Sequence, residues 1–134
     1  MDHLKDLKQE YLRQSVVTAT PAELTIMLFD GCIKNLKRAE IAMVGPADFI
    51  KTNEYLVKAQ KIISELMSAL DMNYELSGQL LPIYVYLQRT IRCMNVKKDL
   101  SAMPDVLNIL TAQRDTWQQA VRSTNIGEGQ QTCV

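Results

Sequence analysis

Few residues in this chain are equipped for chemistry. His3 is its one histidine, within the charged run Met1-Asp2-His3-Leu4-Lys5-Asp6. A di-iron centre in a helical bundle needs Glu residues and Glu-x-x-His pairs, and most zinc sites need several imidazole or thiolate ligands. A single terminal histidine supplies neither. It also leaves no Ser/His/Asp or Cys/His set for nucleophilic catalysis. Asp30-Gly31 is followed by Cys32-Ile33 rather than Lys-Ser or Lys-Thr, so no phosphate-cradling loop is present. Cys32 and Cys93 fall in helical stretches and read as small buried hydrophobes, while Cys133 lies in the tail. Glu23, Asp30, Glu40, Glu65, Asp71 and Glu75 are spread along helices and helix ends, where carboxylates cap or are solvated. Nothing sets a pair of them apart for acid–base work. The expectation is a chain with no enzymatic activity, no metal and no cofactor, one that works by holding another polypeptide.

The 134 residues suit one domain around one hydrophobic core, and 47% hydrophobic content makes that domain globular. Lys plus Arg equals Asp plus Glu at 15 each, so no excess of basic charge attracts nucleic acid or an anionic membrane. The apolar run Ile26–Phe29 is far too short to span a bilayer, and the N-terminus is too charged for a signal peptide. An odd number of widely spaced cysteines is no disulfide framework. A cytosolic protein that neither inserts into membranes nor binds nucleic acid is expected.

Apolar spacing of three and four residues predicts the elements. Leu4, Leu7 and Tyr11 share a face if residues 2–14 are helical, and Val16-Val17-Thr18 favours extended chain. Thr20-Pro21-Ala22-Glu23 is a strong helix start, with Thr20 as cap and Pro21 at the first helical position. This first helix should end near Val44, before Gly45-Pro46. A second helix is expected from about Ala47 to Leu70, with the seam Leu56, Ala59, Ile63, Leu66 and Leu70. Lys51, Glu54, Lys58, Lys61 and Glu65 form its opposed charged stripe. The third carries Leu80, Tyr84, Leu87, Ile91 and Met94; Pro82 is best tolerated in a first turn, which puts the start near Ser77 to Gln79. The fourth carries Met103, Leu107, Leu110, Trp117 and Val121, interrupted by Arg114, with Asp99 or Ser101 as cap and Pro104 in the first turn. Short connections make neighbours antiparallel. The fold class is therefore all-α, an antiparallel up-down four-helix bundle with an N-terminal arm or short cap helix. The arm covers residues 1–19, the bundle 20–122 and a mobile tail 123–134.

The first helix is apolar on two sides. Leu24, Met27, Leu28 and Gly31 make one face, and Ile26, Phe29, Ile33 and Leu36 a second. Such a helix is central or is covered by something else, and a four-helix bundle has no central helix. The arm, another subunit or a client protein are the three available covers. Gly31 inside a helix costs about 1 kcal/mol relative to Ala and marks close approach of a neighbouring backbone.

These residues resemble a known family. Tyr11, Ser15-Val16-Val17-Thr18-Ala19-Thr20-Pro21 and Glu23-Leu24-Thr25-Ile26-Met27-Leu28-Phe29-Asp30-Gly31, with Ile33-Lys34, are similar to the first-helix motif of the flagellar secretion chaperones, FliS. Lys58-Ala59-Gln60-Lys61-Ile62-Ile63-Ser64-Glu65-Leu66 with Leu70-Asp71 resembles the second-helix motif. Ile83-Tyr84-Val85-Tyr86-Leu87 with Asn95 and Asp99 resembles the third, and Arg114, Trp117 and Ala120 the fourth. The resemblance implies a cytosolic export chaperone that binds the disordered C-terminal segment of flagellin. It would prevent premature polymerisation and deliver its client to the flagellar type III secretion gate. It leaves room for docking of the export gate or a flagellar regulatory protein, and for a homodimer. Tyr11, Val16, Leu24, Leu28, Gly31, Ile62, Leu66, Tyr84 and Tyr86 are candidates for the client groove, with Leu24, Leu28 and Leu66 also reading as core. Lys34, Lys58 and Asn95 are candidates for polar contacts.

Overall fold

The computed structural model describes residues 6–10, 13 and 18–132, with side chains to Ser123. Residues 6–10 are helical and exposed, Leu7 among them. His3, Tyr11, Val16 and Cys133 lie outside the described residues. Four long helices follow: α1 (Pro21–Ala42), α2 (Phe49–Ser68), α3 (Glu75–Lys97) and α4 (Met103–Thr132). There is no strand among the described residues.

The start of α1 follows the sequence signal. The Glu23 amide donates to Thr20 Oγ1 at 3.2 Å, and the Thr20 hydroxyl donates to Glu23 Oε1 at 3.1 Å. The side chain of Asp48 caps α2, accepting from the Lys51 amide at 3.0 Å, and the turn before it passes through Gly45 at φ +68°. α1 ends at Ala42, two residues before the position that Gly45-Pro46 suggests.

α3 departs from expectation. It begins at Glu75, so Pro82 lies inside the helix rather than in its first turn. Proline leaves the Gly78 carbonyl without its intrahelical donor. Both residues are exposed, so water can reach that carbonyl, and the first-turn rule loses its force here. The far end is closed by Lys98 in the left-handed region, φ 50°. The Asp99 amide donates to the Met94 carbonyl and the Lys98 amide to the Asn95 carbonyl, the paired bonds of a glycine-type helix terminus. Lys98 offsets the strain of its non-glycine backbone with ammonium bonds to the Asn95 carbonyl and Oδ1, at 2.6 and 2.7 Å.

α4 starts at Met103, with Pro104 in its first turn as expected. Asp99 Oδ1 accepts from the Ser101 amide at 3.0 Å ahead of the helix. The α4 backbone runs on to Thr132, through residues assigned by composition to a tail.

α1 packs against α2 on one side and α4 on the other, α2 packs against α3, and α3 and α4 touch little. The helices form a ring in the order α4–α1–α2–α3 whose last seam is loosely closed. This accounts for the two apolar sides of α1, which packs extensively against a neighbour on each side, α2 and α4, whereas α3 packs extensively against α2 alone. Phe29, Cys32, Ile33, Leu36 and Ala39 supply its core face. They meet Leu56, Ala59, Ile63 and Leu66 of α2, Leu80, Tyr84, Leu87, Ile91 and Met94 of α3, and Met103, Val106 and Leu110 of α4. Val106 is buried completely where the 3–4 pattern had favoured Leu107. The Phe29 and Tyr84 rings lie 6.3 Å apart at 50°.

Candidate binding surface

No group of His, Cys, Asp or Glu among the described residues is arranged to hold a metal ion. Cys32 is fully buried, and desolvation pushes its thiol up to about 12, which keeps it protonated and inert. Cys93 corrects the sequence reading: it is exposed on the outward face of α3.

The sequence-derived candidates divide by position. Leu66 and Tyr84 belong to the core, and burial raises the Tyr84 phenol to about 12. Asn95 is also buried: its amide donates to Asn53 Oδ1 at 2.9 Å, tying α3 to α2, so its polar group is occupied within the fold. Leu24, Leu28, Gly31 and Ile62 are half-buried. A Cβ built on Gly31 would stand 3.4 Å from Ile62 Cδ1, the end of an α2 side chain, and no neighbouring backbone comes within 4 Å, so the close backbone approach expected at this glycine is not found. Lys34 and Lys58 are exposed, Lys58 with its ammonium 5.8 Å from the Tyr55 ring centroid. Tyr86 is exposed, and its hydroxyl donates to Asp105 Oδ2 at 2.8 Å, a bond between α3 and α4 that raises the phenol.

The structure adds a cleft that the sequence reading did not assign. Between α3 and α4, Leu76, Leu80, Gln113, Thr116, Trp117 and Ala120 line an apolar hollow of about 160 Å³. Leu76 is 56% exposed, although nearby Leu80 is a core residue. Trp117 is half-buried against the core and presents its remaining surface to the hollow. The cleft lies along the seam where α3 and α4 touch little, the seam that the Tyr86–Asp105 bond also bridges. Arg114 sits beside it on α4 and turns the other way, donating to Asp30 of α1 at 3.2 Å and to Asp115 at 3.2 Å. The Asp30 and Asp115 carboxylates raise its pKa. This explains why a cation interrupts the α4 seam: Arg114 ties α4 to α1 at the rim of the core. The residues of the cleft could have been noticed in the sequence only by the proximity of Leu76 to a helix start, which is no specific signal.

No described helix is long and apolar enough to cross a membrane. The surface thus consists of an apolar cleft along one seam of a bundle and a half-buried apolar edge along another. Residues 4–124 match the family model described as flagellar protein FliS. The chain is 42% identical over 113 residues to the flagellar secretion chaperone FliS of Bacillus subtilis (strain 168), with 84% of each chain covered. It is 30% identical over 119 residues to that of Salmonella typhimurium (strain LT2), with 87% of each covered. A solved structure described as a flagellar chaperone from bacteria superposes with a TM-score of 0.72 at 21% identity, covering 89% of this chain and 98% of that one, a likeness of fold. An all-helical bundle with exposed apolar seams, matched along nearly its whole length, places this chain in the FliS family of flagellar secretion chaperones.

Proposed function

We propose that this flagellar export chaperone binds the C-terminal segment of flagellin, keeps it from polymerising in the cytosol and hands it to the flagellar type III secretion gate. The observation that carries this reading is the apolar α3–α4 cleft around Trp117. A segment that is disordered when free loses ordering entropy on binding, so it must bury roughly 1,000–3,000 Å². A single hollow is too small for that. A helical stretch of client seated in the cleft, continuing over the half-buried edge at Leu24, Leu28 and Ile62, would reach it by helix-in-groove contacts. Tyr11 and Val16, in the arm before α1, remain candidates for the same surface, and Lys34 and Lys58 for polar contacts at its edge.

Co-purification tests this reading. Full-length flagellin should be retained by the chaperone, and flagellin lacking its C-terminal segment should be lost. Retention of both forms with equal affinity would rule out the C-terminal segment as the bound element.

A further inference from the structure

We propose that the end of the bundle around the α1–α2 turn is a peripheral docking surface for an anionic lipid bilayer. The four most exposed large apolar side chains among the described residues are Ile41, Val44, Ile50 and Val96, at 72–79%. Ile41 lies one residue from the end of α1, Val44 in the turn, Ile50 one residue into α2 and Val96 one residue from the end of α3. They share one end of the bundle, because the Asn95 amide, donating to Asn53 Oδ1, holds the end of α3 beside the start of α2. Phe49, 55% exposed, joins them.

The balanced net charge, which argues against a lipid surface for the chain taken whole, conceals a segregation along the bundle. Halfway along the helices the charge changes sign. Residues 32–58 and 87–112, the half that holds the α1–α2 turn, carry nine Lys or Arg and five Asp or Glu. Residues 20–31, 59–86 and 113–122, the other half, carry three and six. Lys37, Arg38, Lys51, Arg89, Arg92 and Lys97 are all exposed, and none is in a salt bridge among the described residues. Three of the five carboxylates accept hydrogen bonds from the protein itself: Asp48 from the Lys51 amide, Asp99 from the Ser101 amide and Asp105 from the Tyr86 hydroxyl. Exposed cations are drawn to an anionic leaflet once within a Debye length of it, roughly 8–10 Å.

Charge and apolar surface meet in two shallow hollows of this half. One, of about 310 Å³, has Arg38, Ile41, Val44, Lys51 and Tyr55 in its lining. The other, of about 350 Å³, is lined by Arg89, Arg92, Cys93, Val96 and Lys97. Walls that pair cations with apolar side chains suit a headgroup phosphate and the first carbons of its acyl chain. The exposed apolar side chains come from the ends of three helices and the turn between two of them, and they do not line one groove. A folded acidic protein would need a separate pocket for each, whereas a fluid interface takes separate projections to a depth of about 5–10 Å. The contact is peripheral, for no described helix is long and apolar enough to cross a membrane. The α3–α4 cleft, with Leu76 and Trp117, lies in the opposite half and stays open to solvent in this arrangement.

The inference does not depend on the client. Its test is sedimentation of the full chain with vesicles of phosphatidylglycerol or of phosphatidylcholine at low ionic strength. The chain should pellet with the anionic vesicles, stay in solution with the zwitterionic ones and be released by added salt. Ile50→Glu and Arg92→Glu, each at an exposed position, should lower the partition coefficient at least about tenfold. Met72→Glu, at the opposite end and 59% exposed, should leave it unchanged. Helical circular dichroism of all three variants should match wild type. Failure to pellet with phosphatidylglycerol, equal binding to both lipids, full binding by the Ile50 and Arg92 variants, or an equal loss in the Met72 variant would each overturn the proposal. So would retention on immobilised polyglutamate without vesicle binding, which would assign this end to an acidic polypeptide.

Discussion

Replacing Trp117 with alanine should weaken binding of the flagellin C-terminal segment by at least about 30-fold, the effect of losing a hot-spot aromatic worth roughly 2 kcal/mol. Trp117 is the largest side chain of the cleft and the only tryptophan of the chain. A half-buried indole is well placed as an anchor, since its seat on the core fixes the ring before the client arrives and little conformational freedom is lost on binding. The fold should survive the change. α4 remains attached through Met103, Val106 and Leu110 in the core and through the Arg114–Asp30 pair. Titration calorimetry with the isolated client segment measures the loss. The wild-type tryptophan supplies a second readout, because its emission should shift to the blue as client excludes water from the cleft. Should Trp117→Ala prove unstable, Ala120→Glu places a charge on the exposed rim of the same hollow and should also cut affinity. Unchanged affinity in a folded Trp117→Ala variant would remove the cleft as the client's seat.

The largest effect on stability is expected at Phe29. The ring is fully buried, touches α3 through Tyr84 and occupies the helix that holds both α2 and α4. Phe29→Ala should cost about 3–5 kcal/mol, from lost burial, a residual cavity and the broken aromatic pair. Against a typical total of about 5–15 kcal/mol, that loss threatens the whole fold. Urea unfolding should show a much lower midpoint. Ile41→Ala, 72% exposed on the same helix, should stay within about 0.5 kcal/mol of wild type. Equal destabilisation by the two substitutions would contradict the assignment of the core face.

Most of the bundle was legible in the sequence because its core is periodic. The seams Leu56–Ala59–Ile63–Leu66 and Leu80–Tyr84–Leu87–Ile91–Met94 are buried as their spacing demands. The capping pair at Thr20 and Glu23 and the turn at Gly45 are local chemistry, and local chemistry can be read in one dimension. Departures arise where a neighbour, or its absence, decides. Cys93 lies one residue from the seam at Met94, yet it is exposed because nothing packs on that side of α3. Pro82 sits mid-helix because its face is open to water. The second apolar side of α1 was weighed as a groove, whereas much of it faces α2 and α4. Conversely, Leu76 and Trp117 line a cleft along a seam where α3 and α4 touch little, and no periodicity records how closely two helices pack.

That loose seam gives the molecule an order in which to come apart. α4 is clasped by α1 and barely by α3, whereas α1 and α2 share the most extensive packing in the fold. The α3–α4 seam is the least packed of the four, so opening along it is expected to be the cheapest excursion from the native state. Amide hydrogen exchange should therefore be slowest around Phe29, Leu36, Leu56 and Ile63, and faster in α4; uniform protection of all four helices would contradict this. The bundle then behaves as a rigid three-helix stem, α1 to α3, with a hinged jaw. A jaw that yields by local unfolding can widen for a bulky client side chain without placing the stem at risk.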